Sequence, residues 1–191
     1  MSGGRGVIGV SDHGGWAVLV TSTGDGTLLD RRRVDLVDAD LPKIPHHVEG
    51  QVLPIDEALA LVERVRVSAE RHAGLVLDAV AKTVTGQITG VALRRCPELP
   101  PTVAERIRDY RSRNVADWVM YRKALAGATE ARGWVVHWID PKTVFAIAGE
   151  ALGVDDFSAH FASLRGSVGP PWGADHKLAL AAAIVAGRAR K

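Results

Sequence analysis

A few side chains in this sequence have types and settings that can do chemistry, and each also has a plain structural reading. Asp12 follows the β-branched run Val7-Ile8-Gly9-Val10 and precedes Gly14-Gly15. An acid there is either a turn residue or a ligand held at the tip of a strand. Asp175 stands just ahead of an Ala/Leu-rich helical stretch, where the helix dipole favours an acid whether or not it binds anything. His176 beside it is a general-base candidate or a surface histidine. Glu98 lies in Cys96-Pro97-Glu98-Leu99-Pro100-Pro101, and Asp140 precedes Pro141 in a turn setting. His46-His47 with Glu49 offers nitrogen and oxygen donors for a transition metal. Adjacent histidines on an extended chain point apart, so that spacing favours a loop. Cys96 follows Arg94-Arg95, which can lower a thiol pKa, but spacing identifies no partner histidine.

Basic residues are unevenly placed. Arg94, Arg95, Arg106, Arg108, Arg111, Arg113, Arg122 and Lys123 share one stretch with only four acids, so it carries +4 while the whole chain carries +2. That stretch is a place for a polyanion to lie, or a solvated helix face with local pairs such as Arg106 with Asp109. The small net charge argues against strong nonspecific DNA binding. Trp118, Trp134 and Trp138 sit on apolar patterns and read as core, whereas Trp172, in a Gly/Pro loop, reads as exposed. With 47% apolar and 24% charged residues over 191 positions, the chain reads as one folded soluble domain, 1–191. A single cysteine excludes a disulfide framework and a multi-cysteine zinc site. The longest apolar run, Leu178 to Gly187, is about half of a bilayer crossing. The apolar run Val7-Ile8-Gly9-Val10 near the start is too short for a signal-peptide core, so the expected location is cytoplasmic.

Positioning these residues falls to a recognisable succession of elements. Val7–Val10, Trp16–Thr21 and Thr27–Leu36 read as three strands joined by tight turns, an antiparallel meander. Residues 37–53 read as a long loop. Pro54 opens a helix with Asp56 and Glu57 in its first turn, and Arg71-His72-Ala73-Gly74 reads as its end. Leu75–Val84 fits a short helix or a buried strand. Gln87–Leu93 is a strand. Thr102-Val103-Ala104-Glu105 is a capping box opening a helix that can run unbroken to Ala131, about 45 Å. Trp134–Ile139 is a strand, followed by short helices near 144–152 and 157–164, a Gly/Pro loop at 166–173, and a last helix over 175–189. A meander followed by helix–strand alternation implies an α/β fold, a mixed sheet with helices on both faces.

That order resembles the ribonuclease H-like fold and, within it, the RuvC-type Holliday-junction resolvases. Three stretches carry the resemblance: Ile8–Val18 with Asp12 closing the first strand; the helix bearing Asn114 followed by Val135–Ile139 and Asp140-Pro141-Lys142-Thr143-Val144; and Gly173–Leu180 with Asp175 opening the last helix. The resemblance implies a carboxylate site for Mg²⁺ or Mn²⁺, hard ions that take oxygen ligands and stabilise both oxygens of a phosphodiester displacement. On that basis Asp12, Glu98 and Asp175 are the expected metal ligands. His176 and Lys177 would assist the substrate or leaving group. Arg94, Arg95, Arg111, Arg113 and Lys177 would contact nucleic-acid phosphates. One departure is plain: where the fourth strand should deliver an acid, the chain has Arg94-Arg95-Cys96, and Glu98 arrives only after Pro97. Two rival readings follow. One is a noncatalytic scaffold or nucleic-acid-binding module of the same fold, with a homodimer as a natural form. The other is a nucleotide-binding relative of sugar kinase and actin ATPases, with Asp12-His13-Gly14-Gly15 and Gly24-Asp25-Gly26 as phosphate-loop segments.

Overall fold

In a computed structural model, residues 5–189 are described; residues 1–4, where the signal-peptide reading begins, lie outside them. Strands β1 (Arg5–Asp12), β2 (Trp16–Ser22) and β3 (Leu28–Asp35) form the expected antiparallel meander. Strands β4 (Gln87–Arg94) and β5 (Val135–Ile139) add in parallel on the other side of β1. The sheet order is β3-β2-β1-β4-β5. This is a mixed sheet, as the meander followed by helix–strand alternation implies.

Helices cover both faces. On one face lie α1 (Ile55–Thr83), α2 (Val103–Arg108) and α3 (Tyr110–Glu130), packed on Ile8, Val10, Leu19, Val91 and Leu93. On the other lie α4 (Val144–Leu152), α5 (Phe157–Ser163), α6 (Arg165–Val168) and α7 (Ala174–Arg188), packed on Val7, Val18, Val20 and Ala92. Among the described residues no helix is long and apolar enough to cross a membrane.

Four local expectations are corrected. Gly74 does not end α1, which continues to Thr83 and absorbs the ambiguous segment. Its buried stripe Ala69, Ala73, Leu77, Val80 runs through the glycine, and that burial outweighs a helix-propensity cost of about 1 kcal/mol. The long helix from Thr102 is two helices. The Thr102/Glu105 capping box forms as read, but Asp109 takes an extended conformation and caps α3 by accepting from the Ser112 N–H at 2.7 Å. Trp138, on edge strand β5, is 42% exposed rather than core. Trp172 is buried rather than exposed, stacked on Phe161 with centroids 4.4 Å apart and donating to the Phe161 carbonyl at 2.9 Å.

Candidate nucleic-acid interface at the carboxyl end of the sheet

Strand alternation decides what β1 can present. Side chains two apart share a face. Asp12 therefore sides with Ile8 and Val10, toward α3, while Ser11 sides with Val7 and Gly9, toward α7. Asp12 is fully buried. Arg122 of α3 donates from Nε to its Oδ2 at 2.7 Å, and Arg94 of β4 donates from Nε to its Oδ1 at 3.1 Å. Arg94 also reaches the Asp12 carbonyl at 2.6 Å, and Arg122 the Arg95 carbonyl at 3.2 Å. Both oxygens of this carboxylate are thus held by guanidinium groups that tie β1, β4 and α3 together.

Asp175 lies across the sheet from Asp12, at the start of α7. Its Oδ1 accepts from the Ser11 hydroxyl at 2.8 Å and meets His13 Nε2 at 2.8 Å. Burial alone would raise its pKa, but the hydrogen bonds from His13 and Ser11 and the nearby histidine charges outweigh burial and hold it below the usual carboxylate range. The β1 side chain that reaches Asp175 is therefore a hydroxyl, Ser11. Glu98 is exposed on the proline-rich segment after β4. The three acids Asp12, Glu98 and Asp175 are not brought together. Among the described residues no three His, Cys, Asp or Glu side chains form a group that could hold a metal ion. The donor set does not fit Mg²⁺ or Mn²⁺: one carboxylate is neutralised by two arginines, one is bound to a histidine and a serine, and one stands apart.

The remaining expected residues divide by what engages them. His176 is buried behind Trp172 and its Nδ1 accepts from the Gly173 N–H at 3.4 Å. Burial and the charge of Arg31 push its pKa down, against the opposing pull of Asp175. A depressed histidine is protonated in the unfolded chain before it is in the folded one. Stability therefore falls as pH drops from about 6.5 through the lower folded value. Thermal melts across that interval should show a falling midpoint that flattens in His176→Gln; an unchanged slope would remove His176 from this account. Lys177 donates to the Ser158 hydroxyl and sits 4.6 Å from the Phe145 ring centre. Arg113 is held by Gln51 and lies 5.0 Å from the Tyr110 ring centre. Arg95 and Arg111 are exposed. The Cys96 thiol is pushed up by burial, against the pull of Arg122 and Lys123, so its arginine neighbours do not activate it. The two glycine segments of the phosphate-loop reading lie at opposite ends of β2, and the Gly24 turn packs on Gly187, so they form no common cradle.

Sequence reasoning missed the groups that shape this edge. Arg33 lies 4.5 Å over the Trp16 ring, and Trp16 stacks on His13 at 3.9 Å with planes 6° apart. On one side, a hollow of about 380 Å³ opens between Trp16, Arg31, Arg33 and Asp175. On the other side, Arg95, Cys96 and the exposed face of Trp138 line a hollow of about 370 Å³. The carboxyl ends of parallel strands are where α/β sheets bind ligands. Here that end carries stacked and exposed aromatic rings beside cations.

No family model matches the chain, and no curated protein sequence matches it. Solved structures similar to it include two of RuvC. RuvC from T. thermophilus in complex with a Holliday junction substrate is 14% identical, with 95% of this chain and 91% of that chain covered, at a TM-score of 0.49. A second Thermus thermophilus RuvC structure is 13% identical, with 94% and 92% covered, at a TM-score of 0.43.

Proposed function

We propose that this chain is a nucleic-acid-binding domain with a nuclease-like fold that does not carry out metal-dependent phosphodiester cleavage. The single observation behind this reading is the Asp12 carboxylate, closed on both oxygens by Arg122 and Arg94. A metal would have to displace two guanidinium groups from a fully buried acid, at a desolvation cost of several kcal/mol per unpaired ion. Binding is supported by the same sheet edge. Trp138 offers an exposed ring face, and Arg95 and Arg111 offer exposed charge for phosphates. Ring stacking and cation contact of this kind suit unpaired bases, each stacked base contributing about 1–3 kcal/mol.

Fluorescence anisotropy with single-stranded DNA, single-stranded RNA, duplex and a four-way junction tests this, with EDTA and with Mn²⁺. Binding to the single strands is expected at low salt in both conditions, with no cleavage product. Trp138→Ala should weaken binding about tenfold, and Arg95→Ala should reduce the salt slope by about 0.7. Absence of binding at low salt rejects the reading. Mn²⁺-dependent cleavage that Asp175→Asn abolishes would replace it with the nuclease.

A further inference from the structure

The segment at residues 37–53, read from sequence as a long loop, contains one of the most buried polar side chains among the described residues. His46 is 2% exposed and Asp117 of α3 is fully buried. Asp117 Oδ1 accepts from the His46 backbone N–H at 3.1 Å and from its ring Nδ1 at 2.7 Å, while Oδ2 accepts from the His47 N–H at 3.2 Å. The Gln51 amide donates to the His46 carbonyl at 3.0 Å. An aspartate engaged in this way accepts, so the ring hydrogen belongs on Nδ1. The other nitrogen, Nε2, then presents a lone pair in the neutral ring. That nitrogen is buried and has no hydrogen-bond partner among the described residues.

His46 lines a hollow of about 160 Å³ between α1, α2 and α3. Its walls include Val62, Val103, Ala116, Val119 and Met120, and Arg106 and Lys123 stand among its lining residues. Arg66 and Glu70 also line it but are paired with each other, and Arg66 with Glu63 as well, so this acid and base offset within the wall. Arg106 donates to the carbonyls of Pro100 and Pro101 and has no carboxylate on it there, and Lys123 is exposed. Buried polar atoms in folded proteins are satisfied, and an unpartnered one on a residue that lines a hollow calls for an occupant. One water fills about 30 Å³ and needs two to four polar partners, whereas an apolar cavity near 150 Å³ accepts a benzene-sized ring.

We propose that this hollow binds a small monocyclic aromatic acid. A hydroxyl or ring N–H donates to His46 Nε2, the ring packs between Val62 and Met120, and the acid group meets Arg106 and Lys123. Asp117 is the positioning residue, fixing the histidine so that its acceptor faces the ring. This site is separate from the sheet edge and does not depend on nucleic-acid binding.

Met120 is the reporter, since the chain has only one other methionine, Met1. In protein labelled with ¹³C at the methionine methyls, 4-hydroxybenzoate should move the Met120 signal saturably at millimolar concentration. Benzoate, which lacks the donor, should bind about tenfold more weakly. Ala116→Phe fills the hollow and should abolish the shift, with folding checked by circular dichroism. His46→Gln should narrow the difference between the two acids. No saturable shift with either acid overturns the proposal. So does toluene binding as tightly as 4-hydroxybenzoate, or a shift that survives in folded Ala116→Phe. Should Ala116→Phe fail to fold, the comparison of 4-hydroxybenzoate, benzoate and toluene on the unaltered protein still decides.

Discussion

Replacing Asp12 with alanine is expected to lower the unfolding free energy by about 3 kcal/mol. Removing one partner of a buried ion pair typically costs about 3–5 kcal/mol, because the other charge is left in low dielectric without compensation. Here two arginines lose their partner. Arg122 is 10% exposed and Arg94 27%, so Arg94 regains some water and the lower end of that range applies. Urea denaturation of the wild type and Asp12→Ala measures the difference. Asp12→Asn keeps shape and some hydrogen bonding, so it should lose less while remaining destabilised. A cycle with Arg122→Met should show coupling, because the two residues are in direct contact. This result separates the two readings of the residue. A carboxylate kept open for cations is relieved of strain when neutralised, and the protein then holds its stability or gains some. Asp12→Asn melting at or above the wild type would therefore return Asp12 to the metal-site reading and remove the main support for a noncatalytic domain.

The same residue shows where the sequence was informative and where it was not. The order of elements was legible because each has a local signal: glycine turns in the meander, the Thr102–Glu105 capping box, and prolines after strand ends. The face that Asp12 occupies had no such signal. Strand β1 is buried on both sides, so Val7, Ile8 and Val10 are all apolar and no alternation marks which parity points to α7. Asp12 and Asp175 could be placed in one order along the chain but not on one side of the sheet. The His46–Asp117 pair, 71 residues apart, is likewise a product of tertiary packing, and the adjacent His46-His47 suggested only a loop. The Asp109 break was different. Its short side chain three residues before Ser112 is a local capping signal, hidden because no glycine or proline interrupts residues 102–126 on either side of it. Trp138 and Trp172 exchanged roles for a similar reason. Strand pattern does not say which strand is the sheet's edge, and a Gly/Pro loop can fold its tryptophan back over a neighbouring helix.

Gly9→Ala is expected to do more damage than the loss of Asp12, although it adds one methyl group. A Cβ at position 9 would lie 1.8 Å from the Ala179 carbonyl oxygen and 2.8 Å from the Ala183 nitrogen. Both are backbone atoms of α7, so no side chain can rotate away. Helix α7 comes this close because its sheet-facing positions are small, with Ala179, Ala182, Ala183 and Ala186 all buried. A second glycine contact repeats the device, since a Cβ on Gly24 would lie 2.8 Å from the Gly187 carbonyl oxygen. Ordinary overpacking in a core costs about 1–3 kcal/mol. A clash with a whole helix backbone should exceed about 3 kcal/mol, because α7 must lift off β1 or slide along it. Either motion carries Asp175 away from Ser11 and His13, so the sheet edge is lost together with the packing. Gly127→Ala provides the control. Nothing lies within 4 Å of its added Cβ on α3, so this substitution should stabilise by about 0.5–1 kcal/mol through helix propensity. Chemical denaturation and near-ultraviolet circular dichroism of the two variants should move in opposite directions. If Gly9→Ala kept wild-type stability and an intact Asp175–His13 contact, α7 would not be seated on β1 as described, and the geometry assigned to this edge would fall with it.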